Sequence, residues 1–267
     1  MKKIDPQRMY EILNKDRLRY WHFLRELAIM SLPPQDRHEY KGPFANDHEY
    51  EGPFANDSET CFALISHWCS GTNISFTNYD STFVDEMLQN YPKQKTYYRL
   101  WFYPMPGEQM PVDTIHGLSL NPQGSLFAYT GEVPTAPIDP HIRILEKDEI
   151  DMLEPYLPYD GESYGSYIST CMSETKKKDG KAFAWRDEQN LIRAFAFCIP
   201  RFEEFWDFGP YHFSKELKYR TPEIVAALLY AYLKTIREQE DIPTTQLNLK
   251  EAHEAGFTLQ RNRCLFD

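Results

Sequence analysis

The chain has 267 residues, 42% hydrophobic and 26% charged, enough for one large domain or two modest ones with a substantial core. Its net charge of -11, with no long basic block, argues against a nucleic-acid-tracking surface and mildly favours a neutral or cationic small partner. No run of about 18 apolar residues or signal-like core is present, and the five cysteines are scattered, so the expectation is no membrane span, no disulfide framework and a reducing cytoplasm.

Asp5-Pro6 reads as a helix start, with Asp at the cap and Pro at the first helical position. Met9, Ile12, Leu13, Tyr20, Leu24, Leu27 and Ile29 continue at helical spacing to about Met30, and Pro33-Pro34 ends the run. An internal repeat follows. The ten residues from His38 to Asp47 recur from His48 to Asp57 with only Lys41 and Glu51 differing. His38, Glu39, His48 and Glu49 offer a metal reading; the simpler reading is a duplication tolerated in a surface loop, 38–57. Cys61 to Trp68 and Asn73 to Asn78 read as paired strands, Asp80 to Asn90 as a helix burying Phe83, Val84, Met87 and Leu88, and Thr96 to Tyr103 as an aromatic strand. Cys61, His67 and Cys69 lack the paired spacing of a zinc site, so no metal is expected. Seven prolines between Pro104 and Pro140 mark a connector, with a hairpin over Gly117 to Tyr129.

A second unit begins with a strand at His141 to Leu145. A helix over Glu146 to Tyr156, a Tyr- and Gly-rich loop, and a helix over Ile168 to Lys177 follow. Ala182 to Arg186, Leu191 to Ile199 and Glu204 to Phe213 read as antiparallel strands, the last kinked at Gly209-Pro210. Thr221 caps, and Pro222 opens, a long helix to Glu240 with a buried stripe of Ile224, Val225, Leu228, Leu229, Tyr232 and Ile236. Thr244 to Leu249 is a strand, Lys250 to Ala255 a short helix and Thr258 to Phe266 a closing strand.

That succession, with Gly256-Phe257 after the short helix, resembles the GNAT N-acetyltransferase superfamily over residues 141–267. Residues 1–103 look like a degenerate copy, with 104–140 as connector. The resemblance implies an α+β fold, a central mixed but mostly antiparallel sheet flanked by helices, in tandem. It also implies transfer of an acetyl group from acetyl-CoA to a primary amine of a small acceptor. The implied cofactor-binding residues are Phe213, Lys215, Leu217, Tyr219, Arg220, Thr221, Glu223, Ile224 and Asn248. The family's phosphate loop needs glycines, so that backbone N–H groups at a helix N-terminus converge on a pyrophosphate. Thr221-Pro222-Glu223 stands there instead; Pro222 lacks a donor and Glu223 adds negative charge. Where the family often has a tyrosine acid this chain has Ala252, with His253 adjacent as a proton carrier. Glu203, Glu204 and Asp207 are the candidate bases, and Tyr156, Tyr159, Tyr164 and Tyr167 are candidate acceptor-cleft residues. The alternative is a catalytically inactive binding protein that keeps the scaffold.

Overall fold

The computed structural model describes residues 1–32, 49–68, 71–92, 97–157, 163–214, 216–247 and 250–267. In chain order the strands are β1 (Lys2–Lys3), β2 (Glu49–Ala55), β3 (Phe62–Trp68), β4 (Gly71–Phe76), β5 (Tyr97–Phe102), β6 (Thr114–Ile115), β7 (Leu118–Ala128), β8 (Ile142–Leu145), β9 (Lys181–Arg186), β10 (Ile192–Phe202), β11 (Phe205–Phe213), β12 (Ile242–Thr245) and β13 (Thr258–Phe266). The helices are α1 (Pro6–Leu13), α2 (Arg17–Ser31), α3 (Ser81–Asn90), α4 (Ser163–Lys177), α5 (Pro222–Glu238) and α6 (Lys250–Glu254). Two compact units form: residues 1–126 with 259–267, and residues 127–258. The division falls inside the segment read as a connector, and most of the closing strand clusters with the first unit.

In the first unit Asp5 caps α1 by accepting from the Arg8 N–H at 3.1 Å. The single helix expected to Met30 is broken by a 3-10 turn at Asn14–Asp16, because Asp16 leaves the helical region (φ -133°, ψ 56°). β1 to β4 pair antiparallel in order, β4 and β5 pair in parallel across α3, and β13 pairs antiparallel with β5. The parallel pair stays in register to its end, Phe76 against Phe102. Those two rings stack at 4.8 Å, with Phe83 of α3 edge-on to Phe76 and Phe266 edge-on to Phe102. Each such buried ring contributes on the order of 2–3 kcal/mol of transfer free energy.

The duplicated ten-mer does not behave as a surface loop throughout. Glu49–Ala55 of its second copy is β2, and Phe54 and Ala55 are buried in the core. The Gly-Pro step that suggests a turn sits inside this strand, where the ladder shifts register between Glu51 and Phe54. Asn56 then ties down the next turn, accepting from the Thr60 and Cys61 N–H groups and donating to Asp80. The first copy lies outside the described residues.

In the second unit β8, β9, β10 and β11 are antiparallel neighbours, β12 lies parallel to β11, and the end of β7 pairs antiparallel with β12. Side chains alternate across the sheet. Phe195 and Phe197 join Leu145, Ile150, Leu153 and Ile168 in the core under α4. Phe183 and Phe208 meet Tyr232 of α5 on the other face. The helix expected over Glu146 to Tyr156 is a 3-10 helix, Lys147–Tyr156, with Pro155 inside it. The expected hairpin over Gly117 to Tyr129 is one long strand, β7, whose start pairs with β6 across His116-Gly117, both at positive φ.

Candidate functional site: a fork between two parallel strands

β11 and β12 pair from Phe205–Ile242 to Phe208–Thr245, where β12 ends, while β11 runs on to Phe213. The parallel strands therefore part at Phe208, at their C-terminal ends, the position where open α/β sheets take ligands. Tyr232 pins them just before they part. Its hydroxyl accepts the Thr244 N–H at 2.8 Å and lies 2.7 Å from the Trp206 carbonyl and 2.9 Å from the Thr244 carbonyl. Thr244 Oγ1 donates to the Trp206 carbonyl as well, at 2.8 Å.

Beyond the pin, β11 carries a bulge. Phe208 faces Cys198 and Tyr211 faces Ala196, so Gly209 and Pro210 together oppose Phe197. Pro210 has no N–H, which leaves Gly209 as the donor of that step. A Cβ on Gly209 would stand 3.3 Å from the Phe197 carbonyl, tighter than usual. The bulge brings Tyr211 and Phe213 onto the same face as Phe208, and their rings meet edge-on at 5.5 Å. Burial, reinforced by the negative charge of Glu251 on α6, pushes the Tyr211 phenol above its ordinary value. Tyr211 is thus protonated at neutral pH, and sequence reasoning did not single out its phenol; its only signal was its place just after Gly-Pro in a strand.

On the other face sits Asp207, 4% exposed, at the base of the fork. Its Oδ2 lies 3.4 Å from Arg201 Nε and 3.4 Å from Gln246 Nε2. Arg201 donates to Glu174 at 2.8 Å, and Lys178 to the same carboxylate at 2.7 Å. Burial alone would lower the Arg201 guanidinium, but Asp207 and Glu174 hold it above its ordinary value. Charge thus alternates along Lys178, Glu174, Arg201 and Asp207. Arg201 and Glu174 were not singled out from sequence; a lone arginine ending an apolar strand was the available cue.

The start of α5 is closed by its own residues. Thr221 Oγ1 accepts the Ile224 N–H at 3.5 Å, Pro222 offers none, and Val225 N–H already bonds the Thr221 carbonyl. The Glu223 carboxylate is held below its ordinary value first by its own backbone N–H and then by the Thr221 hydroxyl. The first-turn donors that would cradle a phosphate are therefore engaged within the helix start. The segment before it is anchored too. Tyr219 bonds Asp187 at 3.2 Å and stands between Arg193 and Lys218, at 4.9 and 4.6 Å from its ring centre. Arg193 pairs with Asp187 at 2.6 Å and also with Glu216. Arg220 reaches back to the Ser214 carbonyl at 3.4 Å, and Leu217 is exposed.

Of the residues expected at the site, Asp207 and Phe213 lie on the forked strand, and Tyr219, Arg220, Thr221, Glu223 and Ile224 gather at the start of α5. Glu203 and Glu204 do not join them. They form the turn before β11, with Glu203 at φ 46° and the Glu204 carbonyl accepting from Ile242. Five steps along the strand, about 17 Å, separate Glu204 from the bulge. His253 is exposed on α6 and packs edge-on against Phe127 at 4.9 Å, while Ala252 is buried. Tyr156 packs against the core under α4, and Tyr167 is exposed on α4 near Cys171. Lys215, Asn248, Tyr159 and the Tyr164 side chain lie outside the described residues, as do His38, Glu39, His48 and Cys69. Cys61 donates to the Asn78 carbonyl and His67 contacts Thr72 and Glu51, so both have structural partners.

No protein-family model matches the chain, and no curated protein matches it. Solved structures do. A GCN5-related N-acetyltransferase from Kribbella flavida superposes with a TM-score of 0.54 at 8% identity, over 84% of this chain and 91% of that one. Another from Sphaerobacter thermophilus gives 0.54 at 9% identity, over 99% and 93%. A GNAT-family acetyltransferase from Colwellia psychrerythraea gives 0.50 at 13% identity, over 99% and 98%. Identities this low speak for fold rather than chemistry. In its fold, a mixed and mostly antiparallel sheet flanked by helices, the chain is similar to these GNAT acetyltransferase structures.

Proposed function

We propose that the protein transfers an acetyl group from acetyl-CoA to the primary amine of a small acceptor, with the fork of β11 and β12 as the thioester site. The observation that carries this reading is the parting of the strands after Phe208 together with the bulge at Gly209-Pro210. The pantetheine arm runs along Gly209 to Phe213, and the Gly209 N–H faces the thioester oxygen as charge develops on it. The amine nitrogen attacks the carbonyl carbon, the C–S bond breaks, and the Tyr211 phenol protonates the departing thiolate. Asp207, at the base of the fork on the opposite face from Tyr211, takes the proton from nitrogen. A reducing setting such as the cytoplasm fits the free thiols of Cys61, Cys171, Cys198 and Cys264.

Thiol release from acetyl-CoA, measured against a panel of primary amines with mass analysis of products, tests the transfer. At least one amine should give release above the blank and an acetylated product, and Tyr211→Phe should slow it about 100-fold with KM little changed. Bound acetyl-CoA with no release across the panel would rule the transfer out. One observation favours a second reading, a binding protein that keeps the scaffold: the self-closed start of α5.

A further inference from the structure

In the first unit the ends of the parallel pair are occupied by a buried arginine. Arg261 of β13 is 0% exposed. Its Nη1 donates to Asn78 Oδ1 at 3.1 Å and to the Tyr103 carbonyl at 2.8 Å. Asn78 follows β4 and Tyr103 follows β5, so the guanidinium stands at the C-terminal ends of both strands. Among the described residues its remaining edge, Nε and Nη2, is buried without a hydrogen-bond partner of good geometry. That edge is the one that meets two oxygens of a carboxylate or phosphate in parallel. A second side chain repeats the pattern. Both ring nitrogens of His22 are buried without a hydrogen bond among the described residues, and its ring lies 4.1 Å from that of Tyr103. Positive charge is concentrated here although the chain is acidic. α2 with its cap and β13 supply Arg17, Arg19, Arg25, Arg261 and Arg263, against only Asp16 and Glu26. Asp16 pairs with Arg19 and Glu26 with Arg25. Arg261 faces instead Tyr20, whose ring centre lies 4.4 Å away and whose hydroxyl is the nearest polar neighbour the guanidinium has on that side.

We propose that this end of the first unit binds an oxyanion, the carboxylate or phosphate of a small molecule, on the Nε–Nη2 edge of Arg261. Donors left bare at the end of a parallel pair are satisfied by a ligand with two acceptor oxygens, and the surrounding arginines favour its charge. His22, held neutral by its burial and by Arg261, supplies one further N–H. Entry requires a side chain to give way, and half-buried Tyr20 is the one lying against the guanidinium. The site is built wholly from first-unit residues and does not depend on acetyl transfer.

Thermal melting of the full chain, titrated with inorganic phosphate or acetate against sodium chloride at matched ionic strength, tests it. The wild type should show a saturable rise in Tm with at least one of the two anions. Arg261→Lys keeps the charge but loses the paired edge, and should raise the half-saturation point by about tenfold. A wild-type rise with neither anion, or one that Arg261→Lys leaves unchanged, overturns the proposal. Should that variant not fold, the arginine Nε–H resonances of the wild type decide. One buried resonance that moves with the anion and not with chloride supports the site, and none moving overturns it.

Discussion

Asp187 holds the approach to α5 through one carboxylate. It accepts the Gln189 and Leu191 N–H groups at 3.0 Å each, as well as Arg193 and the Tyr219 hydroxyl. Burial would raise this carboxyl, but the bonds from Leu191, Arg193 and Tyr219 outweigh it and bring it down to about 2. A folded value below the unfolded one of 3.8 means its contribution is present above about pH 4 and is lost as pH falls towards 2. The Tm gap between wild type and Asp187→Asn should therefore narrow from pH 6 to pH 2; a gap that stays constant would show that the carboxylate's charge is not what stabilises the segment. Tyr232 makes a different prediction. Removing its hydroxyl leaves the buried Thr244 N–H without its acceptor, so Tyr232→Phe should cost about 1–3 kcal/mol in urea denaturation. A loss below a few tenths would mean the strands pair without the pin. At this scale Asp207 was legible as an acidic residue in a strand of the expected order. Its partners were not, since Arg201 and Gln246 reach it from separate segments and Glu174, on a third, holds Arg201.

The start of α5 shows how local chemistry and position in the fold pull apart at the scale of an element. Thr-Pro-Glu is a strong helix start, and the structure uses it as one. The same residues occupy the donors and place a carboxylate where a phosphate would be drawn. If acetyl-CoA does set its phosphates there, Glu223→Ala should tighten its binding about fivefold by removing a charge at the positive end of the helix. Unchanged affinity by calorimetry would put the phosphates elsewhere. Most strands and helices were legible because their periodicity and caps agree with their burial; α3 and the stripe of α5 are examples. β2 was not, because Gly52-Pro53 carries turn chemistry while Phe54 and Ala55 are claimed by the core. The break before α2 was not either, since the apolar spacing runs on through Asp16 while its backbone does not.

Across the whole molecule, one plan is used twice with different ends. Each unit crosses from a strand through a helix to a parallel neighbour, β4–α3–β5 in the first and β11–α5–β12 in the second. In the first unit the pair is closed to its last residues, with Phe76 stacked on Phe102 and Arg261 at the strand ends. In the second it parts at Phe208, and the bulge puts Tyr211 on the same face as Phe208 just beyond the parting. The order of elements made the fold legible from sequence. The contrast between a closed and an open pair was not legible, because it depends on where pairing stops. The central claim is that the open pair receives acetyl-CoA, and thermal melting of the full chain with and without it is the direct test. At a concentration 100-fold above Kd, binding should add about 2.7 kcal/mol and raise Tm by several degrees. An unchanged Tm at millimolar acetyl-CoA would contradict the claim and leave the binding-protein reading in its place.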